Sequence, residues 1–189
     1  MTVDIAKQLR DSIAVKEELL KNYVPLIEKM AHTIADCLKR GGTLFFIGNG
    51  GSASDSQHLA AEFVGRYEKE RRALRAVALT TDTSILTAVA NDYGFERVFE
   101  RQIEALGKKG DVLFAISTSG NSKNVLKGVH KAKEIGLVTL GFTGGTGGEL
   151  KSLADLALVV PSKKTSRIQE THIMIGHILC ECADELLEP

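Results

Sequence analysis

Residues 43–52 read Thr43-Leu44-Phe45-Phe46-Ile47-Gly48-Asn49-Gly50-Gly51-Ser52. A short, continuous apolar run like this suits a parallel strand buried on both faces. A glycine-rich turn follows at once, and then a helical stretch over 53–66. Downstream the unit repeats. Candidate strands lie at 43–47, 76–80, 112–117, 138–142 and 156–160. Helical stretches lie near 53–66, 83–90, 96–106, 122–135 and 148–153, with a last helix over 167–187. Strands alternating with helices predict an α/β fold: an open, doubly wound sheet of about five parallel strands with helices on both sides. Ligands of such sheets bind beyond the carboxyl ends of the strands.

Upstream, residues 1–40 read as two helices. Ile5, Leu9 and Ile13 recur at four-residue spacing, followed by Leu19 and Leu20. Pro25 fits the first turn of a second helix carrying Ile27, Met30, Ala31, Ile34 and Leu38, and Gly41-Gly42 stops it. Amphipathic helices ahead of the first strand pack on the domain or on a second subunit.

The 189 residues amount to one domain with a sizeable core. Lys+Arg and Asp+Glu are both 24, so the chain lacks the basic excess of a dedicated nucleic-acid binder. No apolar run approaches the roughly 20 residues of a membrane helix, and the N-terminus has no signal-peptide core. Cys37, Cys180 and Cys182 make no disulfide framework and fit reduced thiols in the cytoplasm.

The 18 glycines against three prolines are the unusual count. Many fall in loops at strand ends: Gly48-Asn49-Gly50-Gly51-Ser52 and Thr143-Gly144-Gly145-Thr146-Gly147-Gly148. A third loop, Ser117-Thr118-Ser119-Gly120-Asn121-Ser122, carries four hydroxyls. Glycine lets a backbone approach a ligand, and a helix start offers unpaired N–H groups to an anion. Serine caps and tight turns are the plainer alternative, weakened by two such loops on one sheet. Gly48-x-Gly50-x-x-Ala53 formally fits a dinucleotide fingerprint. The fingerprint wants an acidic residue at the end of the next strand, about 20 residues on, but that strand ends near Thr80, with Asp82 beyond it about 30 residues away. No Gly-Lys-Ser/Thr is present, so a compact phosphorylated sugar fits better than a nucleotide.

His58 and Glu62, four apart, share one face of the helix after the first glycine loop. Leu59, Ala60, Phe63 and Val64 fall elsewhere on it. On the last helix a wheel separates His172 from His177 by about 140°. His172 lies beside the stripe of Ile168, Ile175, Leu179, Cys182 and Leu186 and reads as packed. His177 lies opposite, between Glu170, Glu181 and Asp184, and is the candidate for chemistry. His58, Glu62 and His177 suit a divalent transition metal such as zinc. Gln169 can join them only from the helix's first turn, through its long side chain, and periodicity alone does not assign it. Arg66, Lys69, Arg71, Arg72 and Arg75 form a basic stretch that reads as a solvated loop or a rim contact to a phosphosugar.

In order along the chain stand Gly48-Asn49-Gly50-Gly51-Ser52, His58-x-x-x-Glu62, Asn91-Asp92-x-Gly94-Phe95, Ser117-Thr118-Ser119-Gly120-Asn121-Ser122 and Arg167-Ile168-Gln169-Glu170-x-His172. Together they resemble the sugar isomerase (SIS) family, and within it the phosphoheptose isomerases, over nearly the whole chain. The resemblance implies a single SIS domain over 1–189, with 1–40 as a helical extension used in oligomer packing. It implies conversion of D-sedoheptulose 7-phosphate to D-glycero-D-manno-heptose 7-phosphate, the first step toward ADP- or GDP-heptose for bacterial surface polysaccharide. It implies one Zn2+ per subunit on His58, Glu62, Gln169 and His177, and a homotetramer with active sites at subunit interfaces. Phosphate would lie on Ser117, Thr118, Ser119 and Ser122. Asn49, Gly50, Gly51, Asn91 and Asp92, with Glu62 and Gln169, would meet the sugar.

Such an isomerisation moves a proton between C1 and C2 through an enediol. Glu62 would carry the carbon proton and His177 a proton between the oxygens. Both are also candidate ligands, and the two roles compete. A non-enzymatic SIS tetramer that binds a replication initiator protein is similar across the phosphate loops. It lacks matches to Glu62 and His177, so their presence favours the isomerase.

Overall fold

The computed structural model describes residues 3–187. The first two and last two positions of the expected 1–189 domain lie outside the described residues. Two helices lead, α1 (Ile5–Asn22) and α2 (Val24–Lys39). Asp4 caps α1 by accepting from the Lys7 amide, and Pro25 sits in the first turn of α2, where its missing N–H costs nothing.

The alternating part follows as β1 (Leu44–Gly48), α3 (Gly51–Val64), β2 (Ala76–Ala78) and α4 (Thr83–Tyr93). A 3₁₀ turn (Phe95–Arg97) leads into α5 (Val98–Leu106), β3 (Val112–Ile116) and α6 (Lys123–Ile135). Next come β4 (Val138–Gly144), the single turn α7 (Leu150–Leu153), β5 (Leu156–Val160) and α8 (Thr165–Leu187). All strand pairs are parallel, in the order β2-β1-β3-β4-β5. The order reverses between β1 and β3, which opens a crevice at their carboxyl ends.

Each face of the sheet has its own core. Leu44, Phe46, Phe114, Phe142 and Leu158 pack against α2, α3 and α8, with Val15 and Leu19 of α1 behind them. Phe45, Ile47, Leu113 and Ala115 point the other way, against α5, α6 and α7. Because β1 and β3 are buried along their whole length, their sequences are apolar without alternation.

Several boundaries differ from expectation by a few residues, and three of them have a plain local cause. Helix α3 begins at Gly51 because Gly50, at φ +55°, makes the turn and the helix needs no spacer. Strand β2 stops at Ala78, since its register with β1 ends at Phe46 and Thr80 turns out to meet Gln57. The stretch over 96–106 splits, because Gly94 at φ +90° restarts the chain in a tighter turn.

Candidate active site

Beyond β3, the Ser117 hydroxyl is 3.0 Å from that of Ser122 and 3.5 Å from that of Ser119. Ser122 precedes α6 but makes no capping bond; its hydroxyl is turned to Ser117. Gly50, ahead of α3, has no side chain with which to cap. By contrast α1 and α4, away from this crevice, are closed by Asp4 and Asp82. No side chain caps either helix at the switch point, although the Ser52 and Ala53 amides of α3 already donate to the Asn49 and Gly50 carbonyls and the Val125 amide of α6 to the Asn124 side chain. Between them, the Asn49 and Asn124 carboxamides exchange two hydrogen bonds, at 2.9 and 2.8 Å.

The third glycine loop backs the second. A Cβ on Gly120 would lie 2.0 Å from the Gly147 carbonyl oxygen, and Gly120 also has φ +68°. The Leu150 amide donates to the Gly120 carbonyl, and the Glu149 amide to the Asn121 side chain. Thr118, Ser119, Gly144, Gly145, Thr146, Lys163, Thr165 and Ile168 enclose an open cleft of about 270 Å³. One wall is thus the start of α8, and Lys163 brings the cleft a positive charge.

From that cleft α8 runs along α3. A Cβ at Gly176 would sit 2.6 Å from Leu59, so this glycine lets the helices approach closely. The next residue, His177, brings Nε2 to 2.8 Å from Nε2 of His58, with the rings edge to face at 76°. The Glu62 carboxylate is 3.4 Å from the same His58 nitrogen. Tyr67 stacks on the other side of His177, with centroids 5.8 Å apart and planes within 25°.

Gln169 reaches the start of α3 instead. Its side chain packs on Gly51, whose Cβ would lie 3.3 Å from Gln169 Cγ. Its Nε2 donates to Asp55 Oδ1 at 2.7 Å. Asp55 is 4 % exposed, and its Oδ2 has no partner. Burial pushes its carboxyl up to about 6, against the opposing pull of Gln169 and His58.

His172 is fully buried, and its Nε2 lies 3.1 Å from the Thr143 carbonyl oxygen. A carbonyl only accepts, so Nε2 carries the proton and donates. Burial holds the ring near a pKa of about 4, which makes it neutral packing. Asn91 and Asp92 are exposed on α4; Asn91 donates to Asp92 at 2.7 Å, and neither makes a hydrogen bond to another candidate residue among those described.

The basic stretch is not uniformly solvated. Arg71 is largely buried and pairs with Asp184 of α8 at 2.5 Å. It also donates to the carbonyls of Glu62, Phe63 and Gly65, closing the end of α3.

The model of the SIS domain family matches residues 9–144. The phosphoheptose isomerase of Aquifex aeolicus is 52% identical over 187 residues, 99% of this chain and 98% of that protein. That of Helicobacter pylori strain P12 is 54% identical over 178 residues, 93% of each. The solved phosphoheptose isomerase structure from Neisseria gonorrhoeae superposes with a TM-score of 0.91 at 45% identity, covering 96% of this chain and 97% of that one. The chain belongs to the phosphoheptose isomerase family.

As a family member it is an SIS-fold isomerase; of the expected metal-binding residues, His58, Glu62 and His177 lie together, while Gln169 meets Asp55. For zinc, two imidazole nitrogens and a carboxylate are a fitting donor set. Tetrahedral zinc with bonds near 2.0–2.1 Å holds two nitrogens about 3.3 Å apart. The 2.8 Å between His58 and His177 is the spacing of a hydrogen-bonded pair and must widen by about half an ångström to admit the ion. Among the described residues no three His, Cys, Asp or Glu side chains already stand in a finished metal-binding arrangement. Sequence reasoning missed Asp55, Tyr67, Asn124, Lys163 and Gly176. Of these, Asn124 and Lys163 carried a signal, being polar residues within a few positions of a phosphate-type loop or the motif helix.

Proposed function

We propose that this isomerase interconverts D-sedoheptulose 7-phosphate and D-glycero-D-manno-heptose 7-phosphate. The observation that carries the reading is the layout along α8. Its first turn walls the hydroxyl-lined cleft, and nine residues on, about 14 Å along the axis, His177 meets His58. An extended sugar phosphate keeps its C1–C2 end remote from its 7-phosphate, and side chains reaching inward from both places shorten the axial distance toward the span of such a molecule.

The phosphate sits on Ser117, Thr118, Ser119 and Ser122 and on the uncapped start of α6. Lys163 adds charge at the rim. Asn49, Gly50 and Gly51 offer backbone and amide contacts to the sugar. Zinc, one per subunit, is held by His58, Glu62, Gln169 and His177, and when bound it polarises the carbonyl oxygen as a Lewis acid. Glu62, with 23 % of its side chain exposed, takes the proton from one carbon and returns it to the other. His177, held by the Tyr67 ring, moves a proton between the two oxygens. The product feeds synthesis of ADP- or GDP-heptose for surface polysaccharide, in the cytoplasm.

The working form is a homotetramer with its sites at subunit interfaces. The open apolar row on α1, described by Ile5, Leu9, Ile13 and Leu20 at 54 to 73 % exposure, supports that assembly. Asn91 and Asp92 contact the sugar within it. No described helix is long and apolar enough to cross a membrane.

The test is incubation of the pure protein with sedoheptulose 7-phosphate, with detection of the aldose. Glu62→Gln and His177→Gln are expected to lower kcat by about 10²- to 10⁴-fold with unchanged circular dichroism. Near-normal rates in both overturn the acid–base roles, and full turnover after complete chelation overturns the zinc role alone.

A further inference from the structure

We propose that Asp55 is a positioning residue: it fixes which end of the Gln169 carboxamide faces the His58–Glu62–His177 cluster. This rests on the reading of Gln169 as part of that cluster. Gln169 lies in a cradle one helical turn long, between Gly51 and Asp55 of α3. Gly51 gives it room, since any larger residue would put a Cβ 3.3 Å from its Cγ.

The buried Asp55 Oδ1 accepts from the NH2 end of the Gln169 amide, and an unprotonated carboxylate oxygen can only accept. Reversal of the carboxamide would set two acceptors against each other in a buried place, where that is costly. With Nε2 committed at 2.7 Å, Oε1 is the end that Asp55 does not engage. His58 stands three residues along the same helix, one turn on from Asp55.

Asp55 is a poor choice for stability alone. It is nearly inaccessible, it has one bond where two oxygens need partners, and Oδ2 has none. A buried polar group kept at such a cost is explained by what it does to Gln169.

Full-length protein tests this with Asp55→Asn, Asp55→Leu and Gln169→Ala, singly and as the Asp55→Asn/Gln169→Ala pair. Zinc affinity is read by competition with a chromogenic chelator, kcat and KM by turnover, and stability by thermal melting. Zinc affinity and kcat are expected to fall about 10- to 100-fold in Asp55→Leu and less in Asp55→Asn, which keeps an acceptor. KM should move less than twofold, and the melting temperature should hold or rise. In the Gln169→Ala background Asp55→Asn should add nothing, because its effect passes through Gln169. Additive losses, or a lower melting temperature in step with activity in both Asp55 variants, overturn the proposal in favour of a structural role. Wild-type zinc affinity and kcat in both Asp55 variants overturn it while a loss in Gln169→Ala leaves the parent reading standing. A neutral Gln169→Ala overturns both.

Discussion

Two histidines five positions apart on one helix have opposite fates, and burial decides which. His172 is enclosed beside the Phe142 ring and kept neutral by desolvation. Its pKa drops from an ordinary 6.5 to about 4 in the fold, so the unfolded chain binds the proton first as pH falls. The stability this group contributes is whole above pH 6.5 and is lost on the way down to 4, about 3 kcal/mol in all. His172→Leu removes that dependence, at about 1 kcal/mol for the orphaned Thr143 carbonyl. In urea titrations the wild type should lose its advantage over the variant between pH 6.5 and 4.5; parallel curves would reject the assignment. The helical wheel already separates these two residues, because the apolar stripe is local. Asp55 was illegible for the opposite reason. It stands among Ser52, Ser54 and Ser56, a run that reads as a solvated helix start, and its burial comes from Gln169, 114 residues away.

At the scale of elements, α3 is held at both ends by devices other than its own sequence. Gly50 turns the chain in, and Arg71 closes the carbonyls at the other end while pairing with Asp184. Both partners are mostly out of water, so removing one leaves a charge uncompensated. Arg71→Leu should cost about 3–5 kcal/mol in denaturant unfolding, and Arg71→Leu/Asp184→Leu clearly less than the sum of the single changes. A loss below about 1 kcal/mol would mark the pair as ornamental. The strands were readable because burial on both faces makes them continuous apolar runs. Arg71 was not, because Arg66, Glu68, Lys69 and Glu70 surround it with charge, and a charge run does not disclose which member turns inward.

For the whole molecule, the doubly wound parallel sheet followed from the alternation of elements, but the strand order and the placement of α1 did not. Its apolar residues span a wide arc. Val15 and Leu19 on one half join the core, while Ile5, Leu9, Ile13 and Leu20 on the other stay open. A sequence shows the arc and not which half the domain covers. Each open leucine or isoleucine offers about 1.5–3 kcal/mol if a second copy buries it. Leu9→Glu should therefore lower the mass seen by light scattering while leaving the helix content of the chain intact; an unchanged mass would rule out this row as an interface. The meeting of α3 with α8 also sets a clock. His58 and His177 are 119 positions apart, and ribosomes add roughly 5–20 residues per second. Every new molecule therefore spends about 6–24 s with α3 made and its partner not yet synthesised. Over that interval Leu59, later covered at Gly176, has no lid, and His58 and Glu62 have no His177 beside them. The three-residue cluster forms in one late step, when the final helix docks.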